Sequence, residues 1–390
     1  MRVLHIGNLH PPAAAGGYER TWVAVVEALQ AGGHAARVLT TAPVPGAPAD
    51  PAADPPHVFR ELGWYWRDHA FVRPRPRARL ALERRNAAVL RAHLTGLRPD
   101  AVCWWGMGGM SLSLIEQVRR AGIPAVGAVG DDWMGYGVRA DPWTGGWRPL
   151  AERRAGVPAR VDLGAAAHWT FASDWLRRRA LARHALPRTS VISPGVAPER
   201  FPPQPARPFG WRLACIGRVE PAKGIATAIA ALAHLPAGAT LAVRGDGPAA
   251  HRAELAALAE RLGVAGRVRF EPPAAGPVLD AFAAADAILF PVVWEEPWGL
   301  VPLEAMSAGR PVVATGTGGS AEYLRDGENA LLTAPGDAAA LAAAVRRLAA
   351  DPGLAERLRA GGRATAGRFT EAAFCAAMIA ALEAERARRA

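Results

Sequence analysis

At 390 residues, with 51% hydrophobic and 21% charged content, the chain has the composition of a folded water-soluble protein and is too long for one ordinary core, so two domains are expected. No apolar run approaches the roughly 18 residues of a membrane-spanning helix, and three widely spaced cysteines, Cys103, Cys215 and Cys375, argue against a disulfide framework or thiolate metal site. The formal charge of +11 is uneven: residues 1–200 hold 26 arginines against 16 acids, whereas residues 201–390 hold 20 basic residues against 19 acids.

The opening "RVLHIGNL" reads as a strand, "HPPAAAGGYER" as a Pro/Gly loop and "TWVAVVEALQAGG" as a helix stopped by glycine. "HAARVLTT" reads as a second strand. The segment "PVPGAPADPAADPP" (43–56) is poor in core-forming residues and reads as a surface loop. "WYWRDHAFVRPRPRARLALERR" (64–85) mixes aromatics with dense arginine; it suits a membrane surface or an anionic acceptor, or a solvated loop and helix start. Alternation then resumes through "PDAVCWWG", "SLSLIEQVRRAG", "IPAVGAVGD", "HWTFAS", "DWLRRRALARHAL" and "TSVISPG". Strands alternating with helices predict a parallel sheet.

After the proline-rich "APERFPPQPARPFG" the pattern restarts with "WRLACIGRV", "GIATAIAALAHLP", "ATLAVRGDG" and "AAHRAELAALAERLG". It continues through "VRFEP", "AILFPVV", "VPLEAMSAG", "RPVVAT" and "ALLTA" to "AAALAAAVRRLAA". The expectation is two doubly wound α/β domains, 1–204 and 205–370, with a helix over 371–390 packing back on the first. Such sheets bind ligands beyond the carboxyl ends of their strands, so domains facing each other would enclose a cleft.

"CIGRVEPAKGI" contains the only lysine, Lys223, in a chain with 45 arginines. A lysine offers a compact point charge where arginine offers a planar fork, so its survival here points to a task arginine does not fill, or to chance. In "EEPWGLVPLEAMSAGRPVVAT", Glu296 and Glu304 flank a helix start. Gly299, Leu300 and Val301 would present backbone N–H groups there, a natural phosphate-binding point. Carboxylates accept strong hydrogen bonds from hydroxyl-rich ligands. "GMGGM" (106–110) is an incomplete glycine fingerprint. His34 and His168 read as structural. Trp104, Trp105, Trp133, Trp143 and Trp147 read mainly as packing, with Trp133 also placed to wall an apolar acceptor.

The glutamate block resembles the Glu-x7-Glu signature of retaining glycosyltransferases of family 4, the group 1 class with the GT-B fold. "HPPAAAGGYER", "GRVEPAKG", "RGDGP" and "GTGGSAEYLRDGENALLTAPGD" resemble that family's further motifs in order, and "VISPGVAPERF" resembles its interdomain segment. The resemblance covers nearly the whole chain. It implies a nucleoside diphosphate sugar, most often a UDP-sugar, as co-substrate, with no metal and no further cofactor required. Arg218 and Lys223 would hold the diphosphate. Glu304 would bind the ribose, Glu296 the transferred sugar, and the amides of Gly299, Leu300 and Val301 the sugar and phosphate. Gly16 and Gly17 would let backbone approach the donor, or form a turn without ligand.

The family's usual histidine is replaced in "VGDDWMGYG" by Asp131. Asp131 or Asp132 would contact sugar or acceptor, or cap a helix. The implied partners are the donor and a small-molecule, sugar or lipid acceptor, with peripheral membrane contact through the basic N-terminal half and no nucleic acid. The apolar opening "MRVLHIGN" is too short for a signal peptide, so a cytoplasmic location is expected. Another GT-B enzyme such as a nucleotide-sugar epimerase, or a non-catalytic basic binding protein, are the alternatives.

Overall fold

The computed structural model describes residues 1–11, 16–42, 54–67, 70–144, 148–272 and 277–388. The loop expected over 43–56 lies outside them as far as residue 53, as does Trp147. The chain divides into two compact units, Met1–Ser193 with Phe374–Ala390, and Pro194–Ala373.

The first unit holds β1 (Arg2–Gly7), β2 (Ala35–Thr41), β3 (Val58–Leu62), a small antiparallel pair β4 (Trp66–Arg67) and β5 (Ala70–Phe71), then β6 (Ala101–Trp104), β7 (Ala125–Val129), β8 (His168–Phe171) and β9 (Thr189–Val191). Seven of these form one parallel sheet in the order β3-β2-β1-β6-β7-β8-β9. Alternate residues of one strand serve opposite faces. Leu4 and Ile6 of β1 enter one buried cluster with Val102, Trp104 and Trp133, while Val3 enters another with Val25, Val26 and Cys103. Phe374, Cys375, Met378 and Leu382 join that second cluster. Their helical spacing presents one apolar stripe of Glu371–Ala387 to the same face as the helix Gly17–Ala31.

The second unit holds β10 (Arg212–Ile216), β11 (Thr240–Arg244), β12 (Val268–Glu271), β13 (Ala287–Phe290), β14 (Val312–Ala314) and β15 (Leu331–Leu332), all parallel, in the order β12-β11-β10-β13-β14-β15. The residues before β10 pack here: Val196 N–H donates to Phe369 O at 3.0 Å, and the Phe201 ring meets Phe282 edge-on at 5.6 Å. The buried Arg310 guanidinium ties Pro205 to the carbonyls of Phe282 and Ala283. These ties set the observed division at 193/194, ahead of the 204/205 junction expected from the proline run.

The pattern reading missed β3, the small pair β4 and β5, the helices Trp133–Ala140 and Arg148–Ala155 and the helix Pro352–Arg368, and it offered only a start for the helix Pro76–Leu97. All three cysteines are buried thiols; burial pushes Cys215 up to about 12.

Candidate functional site

In the second sheet the strand order reverses between β10 and β13, and the loops after these two strands carry the residues singled out in the sequence. Ligands of doubly wound sheets bind at such a reversal, beyond the carboxyl ends. Backbone contact holds the loops there. Gly217 N–H donates to Arg244 O at 2.9 Å, Val219 N–H to Asp246 O at 2.6 Å, and Val293 N–H to Ala222 O at 3.0 Å. Gly224 has φ +65°, and a Cβ there would sit on Pro291 O; one on Gly245 would sit on Gly217 O. Only glycine lets these chains touch.

The loop after β13 is fastened along its length. Thr315 Oγ1 donates to Val292 O at 2.9 Å, Thr317 Oγ1 to Trp294 O at 2.6 Å, and Gly319 N–H to Glu296 O at 2.7 Å. Gly299, with φ +85°, is the N-cap of the helix Leu300–Ser307, and Tyr323 Oη donates to its carbonyl at 2.5 Å. Leu300 and Val301 open that helix, and Glu304 lies buried within it. Burial first, then the charges of Glu296 and Glu304, push the Tyr323 phenol well above its ordinary value.

Two of the expected residues meet. Lys223 Nζ donates to Glu296 Oε2 at 2.8 Å, and the ammonium lies 5.9 Å from the Phe290 ring centroid and 5.3 Å from that of Trp294. Trp294 Nε1 donates to the same Glu296 oxygen at 2.9 Å. Arg218 rises from the same loop as Lys223 but pairs with Glu220 at 2.9 Å and is largely exposed. One ion pair, a second carboxylate and a helix N-terminus are therefore carried by the segments that follow β10 and β13, with Arg218 exposed on the first of them. At the ends of β11 and β12 lies a cavity of about 350 Å³ lined by Arg244, Phe270, Glu271 and Asp280 among others. Trp294 and Tyr323 were not singled out in the sequence; an aromatic pressed against the glutamate motif was the signal for the first, and a place inside "GTGGSAEYLRDGENALLTAPGD" for the second.

In the first unit, Gly16 is the N-cap and Gly17 the first residue of the helix Gly17–Ala31. Gly16 has φ −77°, open to any residue, so its backbone angle does not demand glycine. Asp131, after β7, accepts from Tyr136 Oη at 2.6 Å. Asp132 is the N-cap residue of Trp133–Ala140, yet its side chain caps no amide and instead pairs with Arg183 at 2.8 Å and Arg179 at 3.1 Å. Trp133 corrects an expectation: it is 0% exposed, edge-on to Trp169 at 5.7 Å, so it builds core and offers no acceptor wall.

Residues 15–200 match the family described as Glycosyltransferase Family 4, and residues 210–351 match Glycosyl transferases group 1. The chain carries both glycosyltransferase domains. A D-inositol 3-phosphate glycosyltransferase of Actinosynnema mirum is 39% identical over 188 residues, 43% of this chain and 45% of that protein. The lipopolysaccharide core biosynthesis glycosyltransferase LpsE of Rhizobium meliloti is 40% identical over 167 residues, 42% of this chain and 47% of that protein. The chain thus spans about half the length of the curated relatives it matches. Anabaena Alr3699/HepE, solved with UDP-glucose, superposes with a TM-score of 0.74 at 20% identity, over 98% of this chain and 100% of that one. WaaG, a glycosyltransferase of lipopolysaccharide biosynthesis, superposes at 0.65 and 21% identity, over 94% and 95%. The two glycosyltransferase domains together have the GT-B fold. Among the described residues no helix is long and apolar enough to cross a membrane, and no cluster of metal-ligating side chains is present.

Proposed function

We propose that the chain is a retaining glycosyltransferase that moves a sugar from a nucleoside diphosphate sugar to an acceptor hydroxyl. The observation that carries this is the Lys223–Glu296 pair beside the helix N-terminus at the strand-order reversal. Arg218 and Lys223 take the diphosphate, whose charge grows as the bond from the anomeric carbon to its oxygen breaks; fixed cations favour that state over the ground state. They supply the stabilisation a metal would otherwise give. The departing oxygen accepts the proton of the incoming hydroxyl on the same face of the sugar, so configuration is kept.

Glu296 binds hydroxyls of the transferred sugar and Glu304 those of the ribose, while the amides of Gly299, Leu300 and Val301 meet sugar and phosphate. The base lies against the cavity at the ends of β11 and β12. HepE was solved with UDP-glucose, which supports uridine as the first base to try. In the first unit, Gly16 and Gly17 bring backbone toward the donor, and Asp131 with Asp132 contacts sugar or acceptor. The relative acting on inositol 3-phosphate favours a polyol acceptor, with sugar and lipid acceptors next. Exposed Arg73, Arg75 and Arg77 beside Phe71, 44% exposed, suit peripheral contact with an anionic membrane from the cytoplasmic side.

The test is to incubate the protein with UDP-glucose and a panel of cyclitol, sugar and lipid acceptors without added metal, and read the new linkage by NMR. The α-glycoside is expected. A β-glycoside would overturn the retaining reading, and complete dependence on a divalent cation would overturn the role of the two cations.

A further inference from the structure

Trp294 belongs to the donor pocket, yet the reaction just described gives it no part. Its indole N–H and the Lys223 ammonium donate to one and the same oxygen, Oε2 of Glu296, at 2.9 and 2.8 Å. The Glu296 side chain is 9% exposed and that of Lys223 19%, whereas Trp294 is 38% exposed, so the indole is the outer wall over a mostly covered ion pair. Its backbone is pinned by Thr317, whose hydroxyl donates to Trp294 O.

Two physical consequences follow from that shared oxygen. One ammonium cannot stay in contact with Glu296 and also reach full contact with a diphosphate elsewhere in the pocket; binding the diphosphate loosens the pair. An N–H donor on a carboxylate oxygen also disperses its charge, and so reduces what that oxygen offers to a second donor. Trp294 therefore weakens the hold of Glu296 on Lys223, and it remains as a donor to the carboxylate once the lysine turns away.

We propose that Trp294 is a positioning residue that governs the exchange of Lys223 between Glu296 and the donor's diphosphate. It loosens the pair before the diphosphate arrives, and keeps Glu296 aimed at the sugar afterwards. This rests on the reading of the pocket as a donor site, and it adds a residue and an exchange step to that reading.

A double-mutant cycle tests it with neither sugar nor acceptor identified. UDP, GDP and ADP are titrated by calorimetry into the full chain as wild type, Trp294→Phe, Glu296→Gln and the double variant, and the tightest binder is carried through the cycle. Phenylalanine keeps a ring by the lysine and removes the N–H; glutamine keeps volume and removes the charge that holds the lysine. Trp294→Phe is expected to weaken binding about threefold, the scale of one hydrogen bond. Glu296→Gln is expected to tighten binding by about threefold or more on the same scale. In the Glu296→Gln background, Trp294→Phe is expected to change little, because the oxygen it acts through has lost its charge.

An equal loss from Trp294→Phe in both backgrounds would mark general packing and overturn the proposal. So would wild-type affinity in Trp294→Phe, or weaker binding in Glu296→Gln. A wild-type protein that binds none of the three diphosphates would instead overturn the donor-site reading itself.

Discussion

Glu83 is a carboxyl group with no exposed surface, served by three hydroxyls: Tyr65 Oη on one oxygen, and Ser111 and Ser113 at 2.7 and 3.0 Å on the other. Burial outweighs those donors and, with Asp141 nearby, raises the carboxyl to about 7. The folded state then keeps a proton that the unfolded chain has lost between pH about 4.5 and about 7, so Glu83 subtracts stability as pH rises through that window. Urea melts of wild type and Glu83→Gln across it should show the variant gaining on the order of 3 kcal/mol relative to wild type from the acid end to the neutral end. His5 and His10, lowered by burial to about 3 and about 4, tilt both proteins the opposite way below pH 6.5, so the difference between them is the quantity to read. A difference that does not change with pH would refute the shifted carboxyl. Nothing in "LALERR" announces this residue: a glutamate among arginines reads as a surface charge until the fold turns it inward.

The loops after β10 and β13 meet through glycines, and this is where a substitution should separate site from scaffold. Gly224 and Gly263 both sit in the left-handed region, at φ +65° and +66°, but a Cβ at 263 meets nothing within 4 Å while one at 224 lands on Pro291 O. Gly263→Ala should cost about 1–2 kcal/mol through its backbone alone. Gly224→Ala should cost more and also weaken diphosphate binding, because the loop carrying Lys223 must move away from the one carrying Glu296. Equal melting losses with diphosphate affinity intact in both would disprove the mutual bracing of the loops. At this scale legibility had clear limits. The helix Pro76–Leu97 hides its stripe because its buried face includes Glu83, Asn86 and His93. The helix Pro352–Arg368 contains Gly361 and Gly362, poor helix formers that let it press on the Glu328 carbonyl and on Met306. Most strands of both sheets were visible as short apolar runs between turn residues, whereas β3 was hidden by Arg60 and Glu61 within "VFREL".

For the whole molecule, the repeated strand–helix rhythm was enough to indicate two doubly wound units, since both faces of each sheet must be covered. The pairing of Lys223 with Glu296, 73 residues apart in sequence, was not visible in spacing; the strand order creates it. The excess charge of residues 1–200 predicts that the protein sediments with vesicles containing anionic lipid and not with zwitterionic ones, and that salt releases it. Equal binding to both vesicles, or to neither, would remove the membrane from its partners. The most direct test of the central claim is a melting panel of wild type and Lys223→Ala with UDP, GDP, ADP and dTDP. A ligand confined to the folded state adds about 2.7 kcal/mol at a hundredfold excess over its Kd. The expected result is that one diphosphate raises the wild-type melt and leaves Lys223→Ala nearly unmoved; no shift with any of the four, or the same shift in both proteins, would contradict a donor site built around Lys223.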